Sequence, residues 1–394
     1  MRLTVADNSA ALSSEMLNCV KYDAGLCTSC TQIQVPYHEQ ILLKQQAAAQ
    51  LLAEVAGQQG FEWLPPAKSE LAGFRNKAKF VVGGRGGALT LGLVRPDGAP
   101  IDLTDCPIQD PRINSAASIL LEFLNSTRLS PYSVTEKRGE LKFVLVTVSP
   151  LGQLLVRFVV RSLRAVRKLA ARASTLRESL PEAVTVTVNL LPEHKAVLEG
   201  EEELVLWGAE LAMQLEDVTL YLLPQSFFQT NTEVAISLYQ QAQEWVKQVG
   251  PRRVLDLYCG VGGFSLFLAP EAGEVQGVEI SAAAVKAARK AARRQRSNAR
   301  FVAADATKYA LQLPPNKRPD LLVVNPPRRG IGTELADWIR ESPEIEWVVY
   351  SSCNPRSLAA DIARLKNFRI ESARLFDMFA HTAHAEVAVL LQRQ

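Results

Sequence analysis

The sequence predicts an α/β chain in which a doubly wound, mostly parallel sheet over residues 226–394 follows an α+β region built on antiparallel strands. Three observations predict it. From about residue 232, apolar strand-like runs alternate with segments of helical periodicity, the pattern of successive βαβ units. Between 73 and 228 the runs are short, β-rich and separated by Gly, Pro and Asp, as in strands joined by turns. One strand, 253–257, runs through an acid into a glycine-rich turn that opens a helix, as at the ligand end of a doubly wound sheet.

In order along the chain, residues 1–18 are small and polar without periodicity and are expected to form a flexible tail. Residues 38–57 carry helix formers with apolar positions at helical spacing, and Gly57 supplies a stop. Strands are predicted at 89–94, 143–149, 154–160 and 184–190, with Pro150-Leu151-Gly152-Gln153 as the turn of an antiparallel hairpin and the basic stretch 161–180 as a helix beside them. The carboxy-terminal region reads as a helix at 233–247, strands at 253–257 and 275–279, and a helix at 282–296. Strands at 300–304, 320–324 and 346–350 follow, with 367–376 and 386–392 as a closing pair.

With 394 residues and 47% hydrophobic content the chain can bury substantial cores, so two or three domains are expected, without disulfide staples. No apolar run is long enough to span a bilayer, and Asp7, Glu15 and Asp23 interrupt the start, so a cytoplasmic protein with no membrane partner is expected, with monomer as the default state. A net charge of +3 does not announce a nucleic-acid binder, but the charge is uneven: 157–177 and 286–300 each hold seven basic residues and no acid. Such runs are solvated helix faces or surfaces for RNA phosphates. Six cysteines fall as Cys19, Cys27, Cys30 and Cys106, then Cys259 and Cys353. In a reducing compartment, clustered thiols point to metal or catalysis before disulfides, and C-x7-C-x2-C with one distant Cys suits a four-thiolate zinc site as well as an iron-sulfur cluster.

The strand ends carry the chemistry. After 253–257 comes Leu257-Tyr258-Cys259-Gly260-Val261-Gly262-Gly263, where glycines let the backbone approach a ligand, and the acid is Asp256. The next strand ends at Glu279, spaced to accept both hydroxyls of a ribose, and the third at Asp305, suited to an adenine edge or to plain helix capping. Together they favour S-adenosylmethionine over NAD. Asn325-Pro326-Pro327-Arg328-Arg329-Gly330 then sets a polar amide on a stiff loop, with Arg328 where amino-methylating enzymes place an aromatic residue. Tyr350-Ser351-Ser352-Cys353-Asn354-Pro355 puts a thiol at the end of a further strand. A thiolate is what carbon 5 of a uracil needs, because addition to carbon 6 makes an enolate able to attack a sulfonium methyl. The later loss of the carbon 5 proton needs a base, for which Glu386 is the candidate and His384 the lesser one. Ser226-Phe227-Phe228-Gln229-Thr230-Asn231 combines aromatics and amides of the kind that hold an unstacked base, or supplies two core phenylalanines beside a cap.

These motifs, with Gly73-Phe74-Arg75-Asn76-Lys77 and Lys137-Arg138-Gly139-Glu140, resemble those of the RNA uridine-C5 methyltransferases, in one order from Cys19 onward. The resemblance implies a Rossmann-like S-adenosylmethionine-dependent methyltransferase domain at 226–394, behind an iron-sulfur-containing, RNA-binding α+β domain at 19–225. It further implies that a uridine of 23S ribosomal RNA becomes 5-methyluridine through a covalent adduct with Cys353. Carried over residue by residue, it assigns Glu386 as proton acceptor and Gln229, Tyr258, Glu279 and Asn325 as S-adenosylmethionine contacts, beside Asp256, Gly260 and Asp305 from the strand ends. It puts a [4Fe-4S] cluster on Cys19, Cys27, Cys30 and Cys106, with Phe227, Arg328, Arg75, Lys77 and Arg138 toward RNA. Most relatives carry Asp in place of Asn325, and one branch acting on 23S rRNA resembles this chain in having Asn. Two rivals remain: an RNA cytosine-C5 methyltransferase, for which the Asn-Pro-Pro loop lacks a second Cys, and a non-catalytic, metal-dependent RNA-binding factor.

Overall fold

A computed structural model describes residues 15–56, 60–95, 97–194 and 199–394. Most of the expected tail, 1–14, and the expected helix stop at Gly57 lie outside the described residues. The chain opens with helices α1 (Val20–Asp23) and α2 (Tyr37–Ala56) and the two-residue strand β1 (Glu62–Trp63). Strands β2 (Lys77–Arg85), β3 (Ala88–Val94) and β4 (Pro100–Asp102), helix α3 (Pro111–Thr127), and strands β5 (Leu141–Val148) and β6 (Leu154–Val160) come next. Helices α4 (Leu163–Ala170) and α5 (Ala173–Ser179) and strands β7 (Ala183–Leu190) and β8 (Glu202–Trp207) complete a seven-stranded sheet ordered β4-β3-β2-β5-β6-β7-β8. Alternate residues of its strands, among them Phe80, Val144, Phe158 and Val188, bury one face under α3, α4 and α5.

This sheet departs from the all-antiparallel expectation at one pair, β6–β7, which is parallel. A parallel neighbour needs a crossover of a dozen or more residues, and 161–182 supply it. The single helix expected at 161–180 is two helices. Ser162 caps α4 by accepting from the Ala165 amide at 3.3 Å, and the chain leaves helical geometry at Arg172 (φ −117°, ψ 12°) before α5 starts.

A hairpin, β9 (Leu211–Leu215) and β10 (Val218–Leu222), leads into the second sheet. Its elements are α6 (Thr232–Val249), β11 (Arg253–Leu257), α7 (Gly263–Leu268), β12 (Glu274–Glu279), α8 (Ala282–Arg294), β13 (Arg300–Ala303), α9 (Ala306–Leu311) and β14 (Leu321–Val324). They continue with α10 (Gly332–Glu341), β15 (Trp347–Ser352), α11 (Pro355–Ile362), β16 (Phe368–Phe376) and β17 (Glu386–Arg393). The sheet order is β1-β16-β17-β15-β14-β11-β12-β13, parallel throughout except for β17, which runs antiparallel to both neighbours. Every residue of β14 is buried, as a strand covered on both faces requires.

The amino-terminal helix α2 packs on this second sheet. Tyr37, Ile41, Ala48 and Leu52 share a core with Leu358, Phe368 and Leu375, and β1 pairs in parallel with β16 at the sheet edge. Residues 37–63 therefore belong physically with the carboxy-terminal layer, although the sequence groups them with the region that follows them. Among the described residues no helix is long and apolar enough to cross a membrane.

Candidate active site

The strand order reverses at β11, which has β12 on one side and β14 on the other, so the crevice of this sheet opens at the carboxyl ends of β11 and β14. The glycine-rich turn after β11 and the Asn-Pro-Pro loop after β14 meet there. Asp256 is fully buried, and one carboxylate oxygen accepts from the Ser265 amide at 3.0 Å and hydroxyl at 2.6 Å. It thus ties the start of α7 to β11, while its other oxygen has no hydrogen-bond partner among the described residues. Burial raises its carboxyl to about 7. Gly260, at φ 54°, donates its amide to Glu279 at 3.2 Å, and the second Glu279 oxygen accepts from the Ser281 amide at 2.9 Å. Glu279 thereby stands over the glycine turn with both oxygens oriented. Tyr258, itself at φ 67°, reaches Thr307 beside Asp305, whose carboxylate caps α9 by accepting from the Lys308 amide at 2.9 Å. Gly277 on β12 is required by close packing: a Cβ there would lie 2.6 Å from the Phe301 ring and 2.9 Å from Cys259 Sγ.

Asn325 follows β14, half-buried, and Arg328 and Arg329 are exposed on the loop. That loop is fastened from below. Asp361 on α11 accepts from the Ile331 amide at 2.9 Å and the Tyr350 hydroxyl at 2.6 Å. Gly330, at φ 85°, permits the approach, because a Cβ would stand 2.2 Å from the Asp361 carboxylate. The Asn354 side-chain amide donates to the Arg328 carbonyl at 3.0 Å, and the Arg328 guanidinium meets His384 Nδ1 at 3.3 Å.

Cys353 follows β15, half-buried. Glu386 opens β17, the antiparallel neighbour of β15, and is 1% exposed. The Ser351 hydroxyl donates to its carboxylate. Burial pushes the Glu386 carboxyl up to about 7, against the pull of Ser351. Burial, then the nearby Glu386 charge, raises the Cys353 thiol, while the Arg328 guanidinium, hydrogen-bonded to it, works the other way. A thiol, a carboxylate of shifted pKa and a cation thus share one end of the sheet, where a nucleophile and an acid–base group are expected. Ser351 and Asp361 escaped the sequence reading. Ser351 could have been found from its place in the Ser-Ser-Cys run, whereas Asp361 has no local signal.

At the entry to α6, Phe227 is 75% exposed and Phe228 is core, so only the second is a packing residue. Gln229 is buried, and its carbonyl accepts from the Asn76 side chain at 2.9 Å, which pins this segment to the start of β2. Of the residues expected to meet RNA, Arg138 is exposed in the turn after Ser133. Arg75 is instead set among cysteines, and Lys77 is held near Arg157, with burial lowering the pKa of both. Cys19, Cys27, Cys30 and Cys106 line one cavity with Arg75 and Gln109. Among the described residues no three His, Cys, Asp or Glu side chains converge closely enough to hold a metal ion.

A family model described as tRNA (Uracil-5-)-methyltransferase matches residues 171–394. The chain is 42% identical over 378 residues to the 23S rRNA (uracil(747)-C(5))-methyltransferase RlmC of Yersinia pestis (strain Pestoides F), covering 95% of this chain and 99% of that one. It is likewise 42% identical over 381 residues to RlmC of Pectobacterium atrosepticum, covering 96% and 100%. The crystal structure of Pyrococcus abyssi tRNA (uracil-54, C5)-methyltransferase in complex with S-adenosyl-L-homocysteine shares the fold, with a TM-score of 0.75 and 24% identity over 92% of this chain and 85% of that one. With a thiol and a buried carboxylate on neighbouring strands beside the crevice, and with these relatives over nearly its whole length, this chain belongs to the RNA uracil-C5 methyltransferase family.

Proposed function

We propose that this S-adenosylmethionine-dependent enzyme methylates carbon 5 of a uridine in 23S rRNA, the one equivalent to uridine 747, acting as a cytoplasmic monomer. The single observation that carries the mechanism is the buried Glu386 carboxylate on β17 beside the Cys353 thiol at the end of β15. The Cys353 thiolate adds to carbon 6, forming a C–S bond and moving the C5–C6 electron pair into an enolate. S-adenosylmethionine, when bound, supplies the methyl group for carbon 5. Glu386 then takes the carbon 5 proton, the C5–C6 double bond re-forms and the Cys353 thiolate leaves. Its raised pKa suits this work, since a base near neutrality is both ionised and strong enough. Arg328 offsets the charge that Glu386 imposes on the nucleophile. Glu279 would hold the ribose hydroxyls, with Tyr258, Gly260, Gln229, Asn325 and Asp305 around the cofactor. Asp256 acts on it through the turn that it holds.

The expected region 19–225 is assigned to RNA binding, except for residues 37–63, which pack on the catalytic sheet, and the region 226–394 to catalysis, with Phe227, Arg328 and Arg138 as RNA contacts. The four amino-terminal cysteines fit a [4Fe-4S] cluster in their chemistry: they line one cavity, burial raises the Cys30 thiol to about 12, and the other three thiols push it the same way. A cationic cluster would relieve that repulsion. About four irons and four sulfides per anaerobically purified chain are expected, and zinc without sulfide would replace the cluster with a four-thiolate zinc site.

The function is tested with a 23S rRNA fragment containing 5-fluorouridine. Fluorine blocks proton removal, so a denaturation-resistant adduct on Cys353 that forms only with S-adenosylmethionine is expected. Absence of any adduct from cofactor-loaded protein would overturn the uridine reading and turn attention to cytosine.

A further inference from the structure

The loop 377–385 that carries the chain into Glu386 is held from the opposite end of the sequence. His381 sits at its centre, fully buried, in the left-handed region at φ 63°. For a non-glycine residue that conformation persists only where the surroundings fix it. Four contacts fix it. The Gln40 side-chain oxygen accepts from the His381 amide at 2.9 Å, the Gln32 amide donates to the His381 carbonyl at 2.9 Å, and Gln40 Nε2 stands 3.5 Å from His381 Nδ1. On the far side the imidazole Nε2 meets the Leu71 carbonyl at 2.7 Å, as a ring protonated there would. Gln40, itself wholly buried, also donates to the carbonyls of Gln32 at 3.0 Å and Val35 at 2.8 Å. One amide therefore binds α2, the turn at 31–35 and the loop before Glu386 into a single unit. That turn begins at the cysteine cavity: the Ile33 amide donates to the Cys30 carbonyl at 3.2 Å.

We infer that Gln40, with His381, is a positioning pair for Glu386, through which the order of the cysteine-bearing segment sets the placement of the proton acceptor. Cys30 lies two residues before Gln32, and His381 five before Glu386, so the route from thiol cavity to base is short and runs through the hydrogen bonds of Gln32 and Gln40 to His381. A loosened segment leaves the cofactor crevice as it is, since none of its described contacts passes through Gln40, and it reaches Cys353 only at second hand, through His384 and Arg328. It lets Glu386 drift, and the step that suffers is removal of the carbon 5 proton. The inference rests on the reading of Glu386 as proton acceptor.

The test compares holoenzyme variants Gln40→Ala, Gln40→Glu and Glu386→Gln on an rRNA fragment with ordinary uridine. Gln40→Glu keeps the volume and the acceptor for the His381 amide but loses both donors to Gln32 and Val35, so it guards against simple misfolding. In both Gln40 variants, amide hydrogen exchange across 378–386 should quicken. The methylated adduct on Cys353 should resolve roughly ten- to a hundredfold more slowly, the size of effect that a misplaced catalytic group produces. Affinity for S-adenosylmethionine should stay at the parent value. If Glu386→Gln traps the adduct while the Gln40 variants resolve it at the parent rate, the positioning role is wrong and the base assignment stands. If Glu386→Gln resolves it as fast as the parent, the base assignment fails and the positioning role with it. Unchanged exchange in 378–386 in both Gln40 variants also overturns the inference.

Discussion

Replacing Glu386 by glutamine probes the buried carboxylate through stability as well as through catalysis. Burial raises its carboxyl from the ordinary 4.5 to about 7. A carboxyl with a folded pKa above its unfolded one favours the folded state fully while both forms are protonated, below about pH 4, and loses that preference as the pH climbs through 7. At about 1.4 kcal/mol per pKa unit, the loss reaches about 3 kcal/mol by mildly alkaline pH. Glutamine has nearly the same shape and never ionises, so Glu386→Gln escapes the loss. Denaturant titrations at about pH 5 and pH 8 should show the variant gaining about 2–3 kcal/mol on the parent between the two. The same ionisation governs turnover: in the parent, resolution of the Cys353 adduct should rise with pH to a plateau, with its midpoint near 7. A stability difference that does not change with pH, together with adduct resolution that is flat across neutrality, would refute the reasoning.

Cys353→Ala should abolish methylation while S-adenosylmethionine affinity, measured by calorimetry, stays within a few-fold, because the thiol acts on the base and not on the sulfonium; equal loss of both would remove the assignment. Lys44 and Asp377 form a fully buried ion pair at 2.6 Å under the loop before Glu386, joined by the Tyr37 hydroxyl at 2.8 Å. Lys44→Met leaves that carboxylate without its cation and should destabilise the fold by about 3–5 kcal/mol in chemical denaturation. On α4 and α5, Arg164, Arg167 and Arg177 are exposed, without an acidic partner among the described residues. If they meet RNA phosphates, replacing all three by Ala should lower the slope of log affinity against log salt by about 2–3 and leave adduct chemistry on a short substrate intact. An unchanged slope would mark them as a solvated face.

The strand ends were legible because chemistry and local structure coincide there. The run into Tyr258-Cys259-Gly260 announces both a turn and a cofactor, and the positions of Glu279, Asn325 and Cys353 follow from counting strands. Phe227 and Phe228 were ambiguous until burial separated them. Other features had no local signature. Two residues, Glu62 and Trp63, are too short a run to read as a strand, and their partner Ser372–Ala373 is three hundred residues away. The periodicity of α2 foretold its apolar face but not the sheet that covers it. Gln40 and His381 look like an ordinary helix glutamine and a loop histidine until the fold sets them side by side. The parallel β6–β7 pair was hidden for a related reason: the same apolar alternation serves either strand direction, and only the crossover decides.

The bond between Tyr37 and Asp377 spans 340 residues of chain. A ribosome adding about 5–20 residues per second needs roughly 20–70 s to make that stretch, so α2 emerges long before the layer that will cover it. Through that interval its apolar stripe has no finished layer to enter, whereas the cavity of Cys19, Cys27, Cys30 and Cys106 is lined only by residues made before position 110. The last strands made, β16 and β17, complete the layer on which α2 packs. The apolar face of α2 is thus among the surfaces of the nascent chain left longest without cover, and a holdase that shields it would act before any catalytic residue exists.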